Sequence, residues 1–301
     1  MSEEVAPAGI DITKPNVARV YDYMAGGKDH YAVDRAASEL FIQLEPNAKS
    51  GTVAHRAFLG RVVRYMAREA GIRQFIDIGS GLPTAENTHE IAQRADPAAR
   101  VVYVDNDPVV VTHAKALIGE TSTTHIIAGD IREPAAILND PVVRDFIDFS
   151  QPVGLVLLAI LHHVGDAEDP GGIAKALRDA VVPGSHLAIS HFCDPGAANP
   201  KESAAAKEGE RAFMENFGTG RWRTPAEIEA YFGDWRLLDP GLIAFPLWRP
   251  DTPWEGEMPG YFYRWVGGVA VKDLRALISR RATIWPDPAP RPGPGCVKAP
   301  I

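Results

Sequence analysis

The amino-acid sequence predicts an α/β domain, with a mostly parallel sheet of seven strands and helices on both faces. From about residue 55, apolar residues alternate between helical spacing and the short continuous runs that are typical of buried strands. This alternation indicates βαβ units, which place successive strands side by side in parallel. Hydrophobic residues make up 46% of the 301 residues, which is enough apolar material for one sizeable core.

Three segments are predicted along the chain. Residues 1–54 form an N-terminal helical segment, and residues 55–272 form the α/β domain with a helical insertion at about 196–223. Residues 273–301 form a C-terminal extension. Proline is so frequent from Pro286 onwards that we expect an extended tail there.

The first half of the α/β domain opens with a helix and a strand. Apolar residues recur at helical spacing before Gly71, which is expected to end the helix; they are Phe58, Leu59, Val62, Val63 and Met66. Residues 74–78 form the first predicted strand. This strand runs into the glycine turn 79–81, and a second helix is predicted over residues 84–95.

Six further strands are predicted, at residues 101–104, 125–128, 153–161, 186–190, 235–238 and 262–271. Asp107 before Pro108 has the pattern of an N-cap with proline at the first helical position. Thr224 before Pro225 has the same pattern, and a helix over about residues 172–181 precedes the fifth strand. The helices between the strands therefore complete the doubly covered sheet.

Carboxylates follow the first three strands at the same edge of the predicted sheet. Asp77 stands beside the glycine turn, Asp105 ends the second strand and Asp130 follows the third. Asp77 would attract an ammonium group, Asp105 the ribose hydroxyls and Asp130 the amino group of adenine. Each aspartate alone is equally well explained as a turn or helix cap. Their joint placement describes S-adenosyl-L-methionine (S-adenosylmethionine).

A dinucleotide site is the less favoured interpretation of the same turn. The third glycine of the dinucleotide fingerprint would fall at position 84, which is Thr84, after Pro83. A pyrophosphate would also be repelled by Asp77. An NAD-dependent oxidoreductase therefore remains an alternative of lower rank.

Several motifs between residues 17 and 271 together resemble one known family. They are Ala18-Arg19-Val20-Tyr21-Asp22-Tyr23, Gly26-Gly27-Lys28, Asp34-Arg35, the segment 74–84, Val102-Tyr103-Val104-Asp105-Asn106-Asp107-Pro108, Leu161-His162-His163 and Pro183-Gly184-Ser185. The sequence resembles class I S-adenosylmethionine-dependent methyltransferases, and more narrowly the bacterial S-adenosyl methyltransferase family once catalogued as a domain of unknown function. The chain continues past the usual end of that family, and the extension has no assigned role.

This resemblance implies the Rossmann-like class I methyltransferase fold and S-adenosylmethionine as the methyl donor. The cofactor-binding residues that we predict are Asp77, Gly79, Ser80, Gly81, Asp105, Asn106, Asp130, Ile131, Tyr21, Tyr23 and Lys28. No metal is required for methyl transfer from a sulfonium. The acceptor is not implied, because function has to be argued from the site itself.

The segment from Tyr21 to Tyr31 has two interpretations. Aromatic faces attract a sulfonium and glycines let a loop close, so the segment is predicted to be either a lid or an ordinary helix that stops at Gly26 and Gly27. His162 and His163, after the fourth strand, are the candidate general bases. Adjacent histidines at a strand end also often hydrogen-bond a loop, which is the alternative here.

Charge and composition limit the partners. A net charge of -8 without a dense basic run disfavours nucleic acid and favours a small-molecule acceptor. The sequence offers no signal peptide or membrane span, and the two cysteines are far apart, so a cytoplasmic protein is expected. The oligomeric state is left open. A donor-binding regulatory protein that no longer catalyses is the second alternative function.

Overall fold

The computed structural model describes residues 11–83 and 86–273. Its α-helices are α1 (Val17–Ala25), α2 (Ala32–Leu44), α3 (Ala48–Arg68), α4 (Thr88–Gln93), α5 (Pro108–Leu117), α6 (Pro134–Asn139), α7 (Pro141–Phe146), α8 (Pro170–Asp179), α9 (Pro200–Phe217) and α10 (Pro225–Ala230). Its strands are β1 (Gln74–Ile78), β2 (Arg100–Asp105), β3 (Thr124–Ala128), β4 (Gly154–Leu158), β5 (His186–Phe192), β6 (Arg236–Leu237), β7 (Ile243–Ala244) and β8 (Trp265–Val271). The predicted tail from Pro286 lies outside the described residues.

One mostly parallel sheet organises the fold. The strand order is β3-β2-β1-β4-β5-β8-β6, and β7 pairs with β8 beside β6. Strands β1 to β5 are parallel to their neighbours, whereas β8 runs antiparallel to β5, β6 and β7. The prediction of a mostly parallel sheet is confirmed. The described residues contain eight strands rather than seven, because the two-residue β7 is too short to leave a periodic signal.

Both faces of the sheet are covered, as predicted. Successive residues of a strand point to opposite faces, so Phe75 belongs to the buried cluster that contains Phe58 of α3, while Ile76 belongs to a second cluster that contains Leu177 of α8. All five residues of β1 are buried. A strand that is buried on both faces reads as a continuous apolar run, which explains why the central strands were predictable.

Some boundaries differ from the prediction. The last strand begins at Trp265 because residues Gly260–Arg264 form a short 3-10 helix. The fourth strand ends at Leu158, and Ala159 follows it with a positive φ of 56°. Helix α4 begins at Thr88 rather than at residue 84, since Asn87 and Glu90 form its capping box. Residues 84 and 85 lie outside the described residues.

Predicted capping residues are confirmed at two helices. The Asp107 carboxylate accepts a hydrogen bond from the Val109 amide at 2.7 Å, with Pro108 at the first helical position. Thr224 and Glu227 form the reciprocal capping box of α10. Helix α9 lies within residues 196–223, and Arg223 after it forms a β-bridge with Cys193, which directly follows β5.

Helix α3 is longer at its N-terminus than predicted. It begins at Ala48 and continues to Arg68, so it runs without a break through the expected boundary between residues 54 and 55. Its buried residues include Phe58 and Val62, which pack on the sheet, and Thr52 and His55, which lie nearer to the strand tips. Within the described ranges, no helix is both long and apolar enough to cross a membrane.

Candidate functional site

A cleft of about 490 Å³ opens at the carboxyl ends of the parallel strands. Its floor is formed by residues at the ends of β1 to β4 and in the loops that follow them. They are Asp77, Gly79, Ser80, Gly81, Leu82, Asp105, Asn106, Asp107, Asp130, Ile131, Arg132, Leu158, Ala159, Ile160, His162, His163 and Val164. Residues of α1 and α3 cover it. Ligand pockets of about 300–1,000 Å³ are usual, and open α/β sheets bind ligands at this edge.

The glycine turn after β1 forms the centre of the floor. Gly79 has a φ of 73°, and a Cβ there would lie 2.6 Å from Ile160. Its amide donates a hydrogen bond to the Val104 carbonyl at 2.8 Å, which ties the turn to β2. Gly81, with a φ of 66°, donates its amide to the Asp105 carboxylate at 2.9 Å. The turn therefore requires glycine at both positions.

Asp77 is a buried carboxylate beside this turn. It is 5% exposed and accepts a hydrogen bond from the Thr88 hydroxyl at 2.6 Å. Burial raises its pKa to about 6, while the Thr88 hydrogen bond and the charge of Arg56 lower it. Within the described residues, no cation pairs directly with this carboxylate. A cationic ligand would therefore find an acid without a charged partner.

The other two predicted acids differ in their surroundings. Asp105 accepts hydrogen bonds from the amides of Gly81 and Asp107, and burial raises its pKa. Asp130 accepts hydrogen bonds from Arg132 and from the side-chain amide of Asn106 at 3.0 Å. The Arg132 contacts lower the pKa of Asp130 to about 2. Asp130 is therefore an ionised carboxylate in an ion pair, and its contact with adenine stays a prediction.

The cleft brings together most of the predicted site residues. Those that line it are Tyr21, Asp77, Gly79, Ser80, Gly81, Asp105, Asn106, Asp130, Ile131, His162 and His163. Tyr23 and Lys28 are not among its lining residues. The Tyr23 hydroxyl instead donates to Glu39 at 2.5 Å, and Lys28 is exposed.

The segment around Tyr21 is an ordinary helix in this structure. Helix α1 ends where Gly26, with a φ of 84°, donates its amide to the carbonyls of Asp22 and Tyr23. Asn16 caps the start of α1 through the amide of Ala18 and donates its side-chain amide to Asp107 at 2.5 Å. These contacts hold α1 across the cleft, and the helix ends at Gly26 as the second interpretation predicted. A lid function of the segment stays a prediction.

His162 and His163 lie on a short turn after β4. His162 is 1% exposed, and its ring stacks on Phe192 with 3.9 Å between the ring centroids. Its Nδ1 has no hydrogen-bond partner within the described residues. Burial holds the pKa of His162 well below its usual range and lowers that of His163 to about 4. Both rings are therefore neutral at neutral pH, with a lone pair available on each.

Arg223 hydrogen-bonds this turn, and His191 contacts Arg223. The Arg223 guanidinium donates to the carbonyls of Leu161 and Val164 and to the Asp166 carboxylate. It also contacts His191 Nε2 at 3.1 Å, while His191 Nδ1 contacts the Phe192 carbonyl. Both ring nitrogens of His191 are satisfied within the protein, so it holds the turn and does not face a ligand.

Several residues of the cleft were missed from the sequence. An aromatic group covers the end near His162, formed by Phe41, Phe192, Phe213, Phe217, Tyr261 and Trp265. Arg56 and His55 of α3 also line the cleft. The helical spacing that begins at Phe58 could have been continued towards the N-terminus, which would have placed His55 and Arg56 on a helix. It would not have shown that this helix passes over the strand tips. No group of three or more metal-ligating side chains exists in the part of the chain that the structure describes.

Two solved structures resemble the chain over most of its length. A protein from Thermobifida fusca YX, described as a candidate methyltransferase, is 41% identical with a TM-score of 0.82 and covers 89% of this chain and 98% of its own. A DUF574 family protein from Streptomyces avermitilis MA-4680 is 37% identical with a TM-score of 0.81 and covers 87% of this chain and 99% of its own. No match was found among curated proteins.

The profile of the S-adenosyl methyltransferase family matches residues 3–273. Together with the strand order and the two structural relatives, this match confirms the predicted Rossmann-like class I methyltransferase fold. S-adenosylmethionine, predicted from the strand-tip carboxylates, is the cofactor of this family. The chain therefore belongs to the S-adenosyl methyltransferase family.

Proposed function

We propose that this protein transfers the methyl group of S-adenosylmethionine to a small-molecule acceptor by in-line displacement. The main observation behind this proposal is that the cleft has two different ends. One end is acidic and lies at the tips of β1 to β3, and the other is aromatic and contains His162. When bound, the donor supplies an electrophilic methyl group on a sulfonium. The work left to the protein is to hold both reactants in line and to exclude water.

The acidic end of the cleft suits the donor. We assign the ammonium group to Asp77, because its buried carboxylate has no charged partner within the described residues. Asp105 stands at the tip of β2, where acidic residues of nucleoside-binding folds accept hydrogen bonds from ribose. The glycine turn lets the backbone approach the ligand between these two acids.

The aromatic end suits an acceptor of small size. Aromatic walls bury apolar surface and attract a sulfonium in the same space. His162 presents a neutral imidazole there, which can accept the proton of an acceptor hydroxyl as its oxygen attacks the methyl carbon. His163 is the neighbouring candidate base. The net charge of -8 supports a small molecule over a nucleic acid.

Calorimetric titration tests the donor half of this proposal. We expect the protein to bind S-adenosylhomocysteine at one site per chain and not to bind NAD. Tight binding of NAD without binding of S-adenosylhomocysteine would overturn the proposal. Turnover is then tested by incubating radiolabelled S-adenosylmethionine with a panel of hydroxyl- and amine-bearing small molecules. Persistence of intact donor with every acceptor would favour the catalytically silent regulatory function instead.

The affinity for S-adenosylhomocysteine is expected to fall at acidic pH. The free protein holds Asp77 with a pKa of about 6, and an ammonium ligand favours the ionised carboxylate, so protonation competes with binding below that pH. Calorimetry should show an affinity about 10-fold lower at pH 5 than at pH 8. In parallel, 5′-methylthioadenosine, which lacks the amino-acid end, should show a much flatter profile. Identical pH profiles for the two ligands would contradict this placement of Asp77.

A further inference from the structure

A buried chain of hydrogen bonds runs from the cleft into the sheet. The Tyr21 hydroxyl lies 2.8 Å from His55 Nδ1, and His55 Nε2 lies 2.7 Å from the Ser190 hydroxyl. Ser190 Oγ in turn accepts a hydrogen bond from the Ala159 amide at 2.9 Å. Tyr21 and His55 both line the cleft, whereas Ser190 is fully buried on β5. The sequence analysis predicted Tyr21 as a cofactor-binding residue without naming the group of the cofactor that it contacts.

The direction of these hydrogen bonds follows from counting protons. The Ala159 amide can only donate, so Ser190 Oγ accepts there and keeps its own hydrogen for one acceptor. Within the described residues that acceptor is His55 Nε2, because any other choice leaves a buried hydroxyl hydrogen unpaired. The single proton of the neutral imidazole must then sit on Nδ1 and be donated to the Tyr21 oxygen.

Among the residues that the structure describes, this arrangement leaves the hydrogen of the Tyr21 hydroxyl without an acceptor. His55 is neutral, since burial lowers its pKa to about 3, and burial raises the pKa of Tyr21 above its usual value. Tyr21 therefore stays protonated and presents an O–H donor to the cleft. The ligand group that this donor fits is an oxygen with a lone pair, and a carboxylate oxygen above all.

A cation stands on the same wall of the cleft. Among the described lining residues, Arg56 and Arg132 carry permanent positive charges. Arg132 is bound by the carboxylates of Asp130 and Glu168 at the far end of the floor. The Arg56 guanidinium, which also donates to the Glu86 carbonyl at 3.1 Å, is close enough to lower the pKa of both Asp77 and Tyr21. A positive charge thus lies next to Tyr21 and Asp77.

We propose that the Tyr21 hydroxyl and the Arg56 guanidinium form an anion subsite for the carboxylate of the donor's amino-acid end, beside the Asp77 carboxylate that takes its ammonium. This inference rests on the proposed function, because it assigns the second charge of the same ligand. A zwitterion that enters an acid-lined cleft needs a partner for its carboxylate, since a buried charge without one is costly. Tyr21 and Arg56 supply one neutral and one charged donor for it.

Two ligands that differ only in this carboxylate test the subsite. Calorimetry with S-adenosylmethionine and with decarboxylated S-adenosylmethionine should show that Tyr21→Phe weakens binding of the first by about 10-fold or more. Binding of the second should stay unchanged. Arg56→Gln should show the same selective loss, and its partly exposed side chain makes it a variant that folds. Both variants would thus lose the ability to distinguish the two ligands.

Matched controls exist on α3. Tyr65→Phe removes a hydroxyl outside the cleft, and Arg68→Gln removes an exposed guanidinium from the end of the helix. Neither control should change the affinity for either ligand. Equal losses of both ligands in Tyr21→Phe and Arg56→Gln, or no loss at all, would overturn the subsite alone. Failure of the wild-type protein to bind either ligand would overturn the proposed function, and the subsite with it.

Discussion

Replacing Phe58 by alanine is expected to lower the free energy of unfolding by about 3–5 kcal/mol. Phe58 is fully buried where α3 lies on the sheet, and its ring contacts those of Phe245 and Trp248. Gly267 of β8 makes room for it, because a Cβ at that position would lie 2.5 Å from the Phe58 ring. Because the backbone at Gly267 leaves space for this one ring, it cannot easily close the cavity that alanine would leave. The decrease in the free energy of unfolding should therefore be near the upper end of the range.

Urea denaturation followed by circular dichroism measures this loss. Val53→Ala on the same helix is the matched control, because Val53 is 57% exposed and its removal leaves no cavity. The control should unfold close to the wild-type midpoint. A loss for Phe58→Ala of less than about 1.5 kcal/mol would show that the surrounding aromatic rings fill the space, contrary to our interpretation of the packing.

Asp105→Ala is expected to weaken binding of S-adenosylhomocysteine by about 1–3 kcal/mol, or roughly 5- to 150-fold. The substitution removes the carboxylate that we propose binds the ribose hydroxyls. It also frees the amides of Gly81 and Asp107, which the same carboxylate now holds. Both effects act on the half of the cleft that we assign to the nucleoside, so the loss of affinity should be large.

The ligand 5′-methylthioadenosine gives this experiment a second readout. It retains the ribose, so calorimetry should show that Asp105→Ala weakens the binding of 5′-methylthioadenosine as strongly as the binding of S-adenosylhomocysteine. Asp145→Ala, an exposed carboxylate on α7, is the control and should bind both ligands normally. An unchanged affinity of Asp105→Ala for both nucleosides would remove Asp105 from the proposed site.

The strand tips could be predicted from the sequence because their signals are local. An apolar run, a glycine turn and an acid occur within a few residues, and the parallel order of the sheet then brings Asp77, Asp105 and Asp130 to one edge. Segments without such a signal were missed. The two-residue β7 is one example, and the late start of β8 after a 3-10 helix is another.

The residues above the strand tips depend on tertiary placement, which sequence spacing does not contain. Tyr21 faces the cleft, but Tyr23 is two residues further along α1 and hence about 200° around the helix. Lys28 follows the left-handed cap at Gly26 and leaves the helix direction altogether. His55 and Arg56 matter only because α3 crosses above β1 and β5, a fact that no local pattern encodes.

The continuity of α3 also restricts how a ligand enters and leaves. The same helix places His55 and Arg56 over the cleft and, within one further turn, buries Phe58 against the sheet. Lifting it would expose that ring to water, at a cost of about 1.5–3 kcal/mol for this side chain alone. Helix α1 covers the same cleft, and among the described residues Asn16 at its start donates a side-chain hydrogen bond to Asp107 on the floor. We therefore expect α3 to stay in place as donor and product bind and leave.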